Sequence, residues 1–382
     1  MITSYEDVMN ARANGRVQRI DWNKNMLPTT AAVASESSFL ARGAGNPAAD
    51  ALYNTGTNLA FQPVIGGVTA NAGGLPLGSN VAPFQKQLIN STVSTTAATT
   101  APCILTLVDL VGFYRVTSVT TITSQALTNT LTQTNSITAV DTGADRVDHT
   151  AYNLLTGTRV QLTTSGTLPA GLALATDYYI IRQTDTRCGF ATSYANAIAG
   201  TAIDITSAGS GTHTINWLLP RYTNGAGVQA IMWNTNATAL GAATPSLSLP
   251  NYTNSEQVSG RATPATLPIG KTAAANGLIL YSGTGSGKYP LYMPLQGADG
   301  GVAQANNVQL SVSYVSGEFA IGLVKPIISM PITTLGVASE RKFLTDAERI
   351  YDGANLHWLI NHGVATPTNS ALWGHLDMAW TP

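Results

Sequence analysis

Ser282-Gly283-Thr284-Gly285-Ser286-Gly287-Lys288 has the glycine density of a loop that cradles phosphate. A P-loop needs a glycine five positions before the last one, a Ser or Thr after the lysine, and a helix to follow. Ser282 and Tyr289 hold those two places and no helical pattern comes next, so the stretch reads as a hairpin tip. His357, His362 and His375, with Asp377, are the side chains that could bind a metal. Their spacing fits neither H-E-x-x-H nor a Cys/His zinc pattern. On one strand His375 and Asp377 would share a face, which leaves room for a weak site, but interface histidines are the preferred reading. Glycoside hydrolysis needs two placed carboxylates; Asp299, Glu318 and Asp377 sit beside turn glycines or in strands, and no G-x-S-x-G elbow occurs. No catalytic, cofactor-binding or metal residue is assigned, no cofactor is expected, and the chain is expected not to be an enzyme. Cys103 and Cys188 lie too far apart for a disulfide framework and are expected as free, buried thiols.

Charge narrows the partners. Only 10% of the 382 residues are charged, 44% are hydrophobic, and the net charge is −1. Typical soluble domains carry about 25% charge. Such weak charge leaves little repulsion between copies and suits a surface covered by neighbours. Arg12, Arg16 and Arg19 form the one basic cluster, too thin to release counterions along a nucleic acid. No run approaches the ~18 apolar residues of a membrane span, and Met1–Asp7 lacks the marks of a signal peptide. Neither nucleic acid nor membrane is expected as a partner.

The elements that must position these residues are strands. Ser4 with Asp7, or Thr3 with Glu6, has capping-box spacing, with Tyr5, Val8 and Met9 expected on one helical face. From Asp21 to about Asn90 the sequence looks irregular, rich in Ala, Gly, Asn and Pro, and Ser91–Thr100 reads as a polar linker or edge strand. Val228–Asn234, Leu247–Asn251 and Leu278–Tyr281 read as strands. Val308, Leu310, Val312 and Tyr314 alternate with polar residues, Ser316-Gly317 turns, and Phe319, Ile321 and Leu323 alternate back, which predicts a hairpin. Asn355–Asn361 and Ala371–Trp380 close the chain, with Trp358, Trp373 and Trp380 expected to fill the sandwich or an interface. Short strands with regular turns predict an all-β, jelly-roll-like β-sandwich with an extended N-terminal arm.

A second β-unit stands inside the first. Val160 and Leu162 alternate, Leu168-Pro169-Ala170-Gly171 turns, and Tyr178–Gln183 with Cys188–Ser193 reads as a hairpin. Ile203 and Ile205 alternate, and Thr212–Ile215 follows Gly209-Ser210-Gly211. The word order TGTLPAGL, DYY, AGTAI, AGSGTHTI resembles a small module of tailed-bacteriophage virion proteins. The flanks, Leu105–Tyr114 with Gln125–Thr130 and then Leu219–Ala230 (LPRYTNGAGVQA), resemble one continuous run in a family of phage structural proteins. Ser248–Asn254, Val258–Arg261, Met293–Val302 and Leu323–Ile327 match the same family.

The resemblance implies three regions: a helix and extended arm over 1–100, a jelly-roll-like body over 101–130 plus 218–382, and an inserted Ig-like β-module over 131–217. It implies a structural protein of a tailed-phage virion. A capsid cement or decoration protein is the first expectation, and a tail, baseplate or fibre-attachment protein the alternative. Other phage structural proteins, the major capsid protein first, are the expected partners. The apolar strands Val308–Tyr314, Phe319–Leu323 and Leu356–Leu359 add an expectation of self-association, a trimer by preference.

Overall fold

The structure, a computed structural model, describes residues 2–25, 37–40, 43–48, 74–77, 81, 84–95, 101–116, 122–127, 133–152, 154–234, 246–264, 267–268, 291–313, 319–343, 347–362 and 371–381. Helix α1 (Tyr5–Ala13) is followed by β1 (Val17–Asn25), β2 (Ser37–Phe39), β3 (Gly45–Asn46), β4 (Lys86–Thr95), β5 (Cys103–Val116) and β6 (Gln125–Ala126). Next come β7 (Gln133–Asp141), β8 (Arg146–His149), β9 (Arg159–Thr164), β10 (Tyr178–Thr184), β11 (Arg187–Ala191), α2 (Tyr194–Ala199) and β12 (His213–Trp217). The rest is β13 (Gln229–Asn234), β14 (Ser246–Asn254), β15 (Leu267–Pro268), β16 (Val302–Leu310), β17 (Phe319–Ile332), β18 (Ser339–Lys342), β19 (Arg349–Ile350), β20 (Leu356–His362) and β21 (Ala371–Ala379).

The chain is an all-β sandwich protein built from antiparallel sheets. Sheet A has the order β18-β4-β21-β1-β3, with β19 also on β4; sheet B is β13-β17-β5-β20-β2; sheet C is β15-β14-β16-β6. Sheet B is the middle layer. Leu356, Trp358 and Ile360 of β20 enter the core shared with sheet A, whereas Leu359 enters the core shared with sheet C. Likewise Leu105 and Leu107 of β5 join the first core and Val108 and Leu110 the second. A strand covered on both faces needs a continuous apolar run rather than alternation, which is why β5 reads LTLVDLVGFY. Its partner β17 bulges at Leu323/Val324 and at Pro326/Ile328. Pro326 has no N–H to give the ladder, and such bulges re-aim a strand, here where β17 passes from one core to the other.

Strands β7 to β12 pair only among themselves, as a closed six-stranded barrel in the order β10-β11-β8-β7-β12-β9. Its own core holds Val147, Val160, Leu162, Ile180, Phe190 and Trp217. The expected Tyr178–Gln183 hairpin and last strand are present, and the barrel lies within the stretch expected as a module. Closure distinguishes it from the open two-sheet sandwich that the Ig-like label implied.

Several expectations are corrected. β1 and β4 are interior strands of sheet A, so residues 17–25 and 86–95 are neither irregular arm nor edge. The hydroxyl-rich β4 hides its burial because Ser91 and Thr95 are small enough to be covered completely. Residues 49–73, the middle of the expected arm, lie outside the described residues, as do 278–281, 282–288 and Glu318. The expected hairpin between Val308–Tyr314 and Phe319–Leu323 does not form: β16 pairs with β14 and β6, and β17 with β13 and β5. Both strands direct their apolar residues into one core from facing sheets, a connection of the kind that builds jelly rolls. Val308, Leu310, Phe319, Ile321, Leu323, Leu356 and Leu359 are fully covered within one chain, whereas Val312 is 38% exposed.

Helix α1 has the expected capping box: Ser4 Oγ accepts from Asp7 N–H and Asp7 accepts from Ser4 N–H. Its buried face is Val8 and Ala11, packed with Ile2, Ile89 and Ala379 on the outside of sheet A. Tyr5 and Met9 point away, 64% and 46% exposed, and do not share the face of Val8.

Candidate functional site at the joint between barrel and sandwich

The chain re-enters the body through Leu219-Pro220-Arg221-Tyr222-Thr223-Asn224-Gly225, and each residue type there has a separate task. Arg221 and Asp109, the acid in the middle of β5, are both buried. Arg221 Nε and Nη2 donate to Asp109 Oδ2 and Oδ1, both at 2.6 Å, and Nη2 also donates to Leu110 O at 3.1 Å. Asn355 N–H donates to Asp109 Oδ1 at 2.9 Å, so this one carboxylate joins the loop, β5 and the start of β20. Burial alone would push the guanidinium pKa down; the Asp109 charge and its hydrogen bonds outweigh that and hold it raised. The bidentate fork is the geometry that makes such a buried pair tolerable.

Tyr222 takes a left-handed φ of 48°, which turns its ring against Tyr351 at 5.2 Å, edge-on. The Lys325 ammonium lies 5.6 Å from the Tyr222 ring and the Arg349 guanidinium 4.3 Å from Tyr351. Pro220, Thr223 and Asn224 serve the barrel instead. Tyr152 Oη donates to Pro220 O, Leu155 N–H donates to Thr223 Oγ1 at 3.0 Å, and the Thr158 and Thr223 hydroxyls bond each other. Asn224 Nδ2 donates to Thr156 O at 3.1 Å, and Arg159 Nη2 reaches from β9 to Gln304 Oε1 of β16 at 2.6 Å.

Below the loop two glycine-rich segments interlock. Gly227 N–H donates to Gly300 O at 2.9 Å, and a Cβ on Gly225 would sit 2.5 Å from Ala303 Cα. Backbone approach that close requires glycine. Asp299 then collects four donors: Arg261 Nε and Nη2 at 2.9 and 2.8 Å, Tyr252 Oη at 2.6 Å and Asn254 Nδ2 at 2.9 Å. Gln296 N–H donates to the same Tyr252 hydroxyl at 2.7 Å. Burial raises the Asp299 pKa, but the bonds from Arg261, Tyr252 and Asn254 prevail and hold it below the ordinary value.

The words quoted for the family resemblance therefore meet in space. Asp109 comes from the LVDL word, Arg221 from LPRYTNG, Tyr252 and Asn254 from NYTN, Arg261 from VSGR, Asp299 from QGADGG, and Lys325 from LVKPI. Their side chains brace the sandwich in two clusters, around Asp109 and around Asp299, while Pro220, Thr223 and Asn224 of the LPRYTNG word seat the barrel. An acid held ionised by four donors is a poor proton donor, and the arginines are spent on carboxylates. The joint is a device for fixing one β-unit on another.

Of the histidines expected as possible ligands, His357 and His375 do not converge. His357 is buried in β20; burial, with the Lys24 charge, pushes its pKa down to about 3. His362 ends β20 in register with Cys103. His375 lies on the outer face of sheet A, its Nε2 3.2 Å from Thr92 Oγ1 and 3.8 Å from Asp377 Oδ2, so the shared face expected for that pair is found. Asp377 is pushed up by burial but held below its ordinary value by bonds from Arg19 Nε and Asn90 Nδ2. No three His, Cys, Asp or Glu side chains are grouped for a metal among the described residues. Cys103 and Cys188 are free and buried, and burial raises the Cys103 thiol to about 12. Arg12, Arg16 and Arg19 do not act as one patch: Arg16 lies 5.3 Å over Phe84 and Arg19 is paired with Asp377.

The contacts that matter most here, Thr158 with Thr223 and Arg221 with Asp109, carried no signal of pairing in the sequence. Threonine is common along the chain, and the ion pair spans 112 positions.

No family model matches the chain and no curated protein matches it. Among solved structures, the VP2 subviral particle of infectious bursal disease virus aligns at 8% identity over 96% of this chain and 81% of that one, with a TM-score of 0.17. T=1 particles derived from infectious bursal virus align at 10% identity over 96% and 78%, with a TM-score of 0.15. Scores this low are not a fold match.

Proposed function

We propose that this chain is a structural component of a tailed-phage virion, a cement or decoration protein that binds the capsid lattice and carries the barrel as an appendage. The observation that supports the reading is the joint: the family words brace the sandwich, and one of them, LPRYTNG, also seats the barrel through Pro220, Thr223 and Asn224. A protein whose most distinctive residues go to holding its own strands, loops and barrel in place works by presenting surfaces. Weak overall charge supports close packing among neighbours. In this reading the protein performs no chemical step, its partners are the major capsid protein and further copies of itself, and it resides in the virion after assembly in the host cytoplasm. A trimer remains the preferred assembly, without support from the strands now seen to be internal.

Copy number in purified particles tests the proposal. Quantified bands on the order of hundreds per particle fit a shell protein, and a small multiple of about three or six fits the tail, baseplate or fibre alternative. Absence from washed particles overturns both.

A further inference from the structure

We propose that Asn14, at the end of α1, is a self-modification site, where the chain turns its own amide into an acid and loosens the helix from sheet A. The proposal goes beyond the virion reading and does not depend on it. Asparagine followed by glycine is prone to this chemistry, because a glycine nitrogen approaches the asparagine side chain with no Cβ of its own residue in the way. Asn14-Gly15 and Asn224-Gly225 are such pairs; Asn276-Gly277 is another, outside the described residues. The fold gives the pairs at Asn14 and Asn224 opposite surroundings.

Asn14 caps the C-terminus of α1, and Gly15 follows in the left-handed conformation, with φ of 66°. Gly15 N–H donates to Arg12 O at 3.1 Å and Arg16 N–H to Ala11 O at 2.7 Å, the paired bonds that commonly end a helix on glycine. Both Asn14 and Gly15 are exposed, and a Cβ placed on Gly15 would meet nothing within 4 Å, so the turn has room to open. The Asn14 amide is held by a local bond, Nδ2 donating to Asn10 O at 2.7 Å. Fraying of a helix end costs almost no free energy, and it frees the Gly15 nitrogen. Asn224 is pinned instead. Its Nδ2 donates to Thr156 O, its Oδ1 accepts from Ala226 N–H and its backbone O accepts from Gln257 Nε2, each at 3.1 Å. Gly225 is buried against Ala303, and its N–H donates to Tyr222 O at 2.6 Å. The loop that seats the barrel thus shields its own Asn-Gly pair.

The step needs only water. The Gly15 nitrogen gives up its proton and attacks Asn14 Cγ; the N–Cγ bond forms, the Cγ–Nδ2 bond breaks, and ammonia leaves with that proton. The cyclic imide then takes up water at one of its carbonyls. Opening at the side-chain carbonyl leaves aspartate, and opening at the backbone carbonyl leaves isoaspartate, in which the chain runs through Cβ and Cγ. Either product puts a carboxylate at the end of the helix where the backbone carbonyls are already negative. Isoaspartate also lengthens the backbone between Ala11 and Arg16, so the bonds that end α1 cannot re-form as they were. A helix of nine residues depends on its caps and its packing, and α1 packs on Ile2, Ile89 and Ala379.

The purified full chain is held for several weeks in warm, mildly alkaline buffer, with and without denaturing guanidinium chloride. It is then digested with pepsin in acid and mapped by mass spectrometry, with isoaspartate detected by enzymatic methylation. In the folded chain Asn14 should convert at least tenfold faster than Asn224, while in denaturant the rates should be similar. Asn14→Gln should leave the peptide that covers α1 unconverted. Amides of residues 5–13 should exchange with deuterium severalfold faster in aged wild type than in fresh protein, and aged Asn14→Gln should show no such change. An Asn14 that stays intact in the folded chain while it converts in denaturant overturns the proposal, as does an Asn224 that keeps pace with it in the folded chain. Conversion in the α1 peptide of Asn14→Gln would place the site at another asparagine and also overturn it. Unchanged exchange after Asn14 has converted overturns the loosening of α1.

Discussion

Arg221 and Asp109 show how much can rest on one pair. Their charges are buried together, and removing one partner strands the other in a medium that solvates it poorly. Arg221→Met is expected to cost about 3–5 kcal/mol of unfolding free energy, read from urea denaturation. The double variant Arg221→Met/Asp109→Leu should recover much of that loss, because an apolar pair leaves no charge behind. A single-variant cost under about 1 kcal/mol would mean that the pair behaves as if at the surface. His357 makes a separate prediction about acid. Its folded pKa is about 3 against an ordinary 6.5, so between those values the unfolded chain takes up a proton that the folded chain refuses. Its contribution is fully present above pH 6.5 and is lost as the pH falls towards 3, at up to about 1.4 kcal/mol per pH unit. Asp299 and Asp377, both held low, add a loss at still lower pH, below the ordinary carboxylate range. His357→Gln should flatten the stability profile across the histidine window while leaving the steeper acid limb. An unchanged slope in that window would mean that His357 protonates freely in the fold.

At the scale of elements, the class of fold and the individual strands were legible, and their partners were not. Alternation in Val308–Leu310 and Phe319–Leu323 reveals one buried face per strand, but a buried face is the same whether the strands lie side by side or meet across a core. Only the second arrangement lets both reach the core around Trp233 and Tyr252. The serines and threonines of β4 carry no apolar signal, so its second half reads as linker or edge strand and not as an interior strand, and β1 is hidden because Lys24 and Asn25 follow Trp22 in a pattern that looks like loop. The capping box of α1 was readable since it is local; the face it buries depends on Ile89 and Ala379, far away in sequence. Close sheet packing gives a direct test. A Cβ on Gly322 would sit 2.5 Å from the Trp233 ring, and one on Gly374 would sit 1.9 Å from Thr92 O. Gly374→Ala meets backbone that cannot step aside, so it should destabilise the most, by more than the ~1–3 kcal/mol usual for overpacking. Gly322→Ala meets a side chain and should fall within that range. Equal melting temperatures for both variants and wild type would mean that sheet A and sheet B are more loosely packed than their registers imply.

For the whole molecule, the issue is whether barrel and sandwich behave as one body or two. The barrel closes its own ladder of hydrogen bonds and fills its own core, which gives it the means to fold alone. Among the described residues, the hydrogen bonds that join it to the body are few: the Thr158–Thr223 hydroxyl pair, Leu155 N–H on Thr223, Asn224 on Thr156 O, Tyr152 on Pro220 O, and Arg159 on Gln304. Each such bond is worth about 0.5–1.5 kcal/mol net, and together they hold the barrel at one angle without merging the two cores. Thr223→Val combined with Asn224→Ala removes the centre of the joint and leaves Arg221 on Asp109. Calorimetry should then resolve two transitions where the wild type shows closer coupling, with the barrel transition matching that of isolated residues 131–217. Small-angle scattering should show a wider distribution of maximum dimensions. A single unchanged transition in the double variant would show that the barrel is held by something other than these bonds. An isolated 131–217 fragment with no cooperative transition would show that its closed ladder needs the sandwich to form, and that barrel and body are one folding unit.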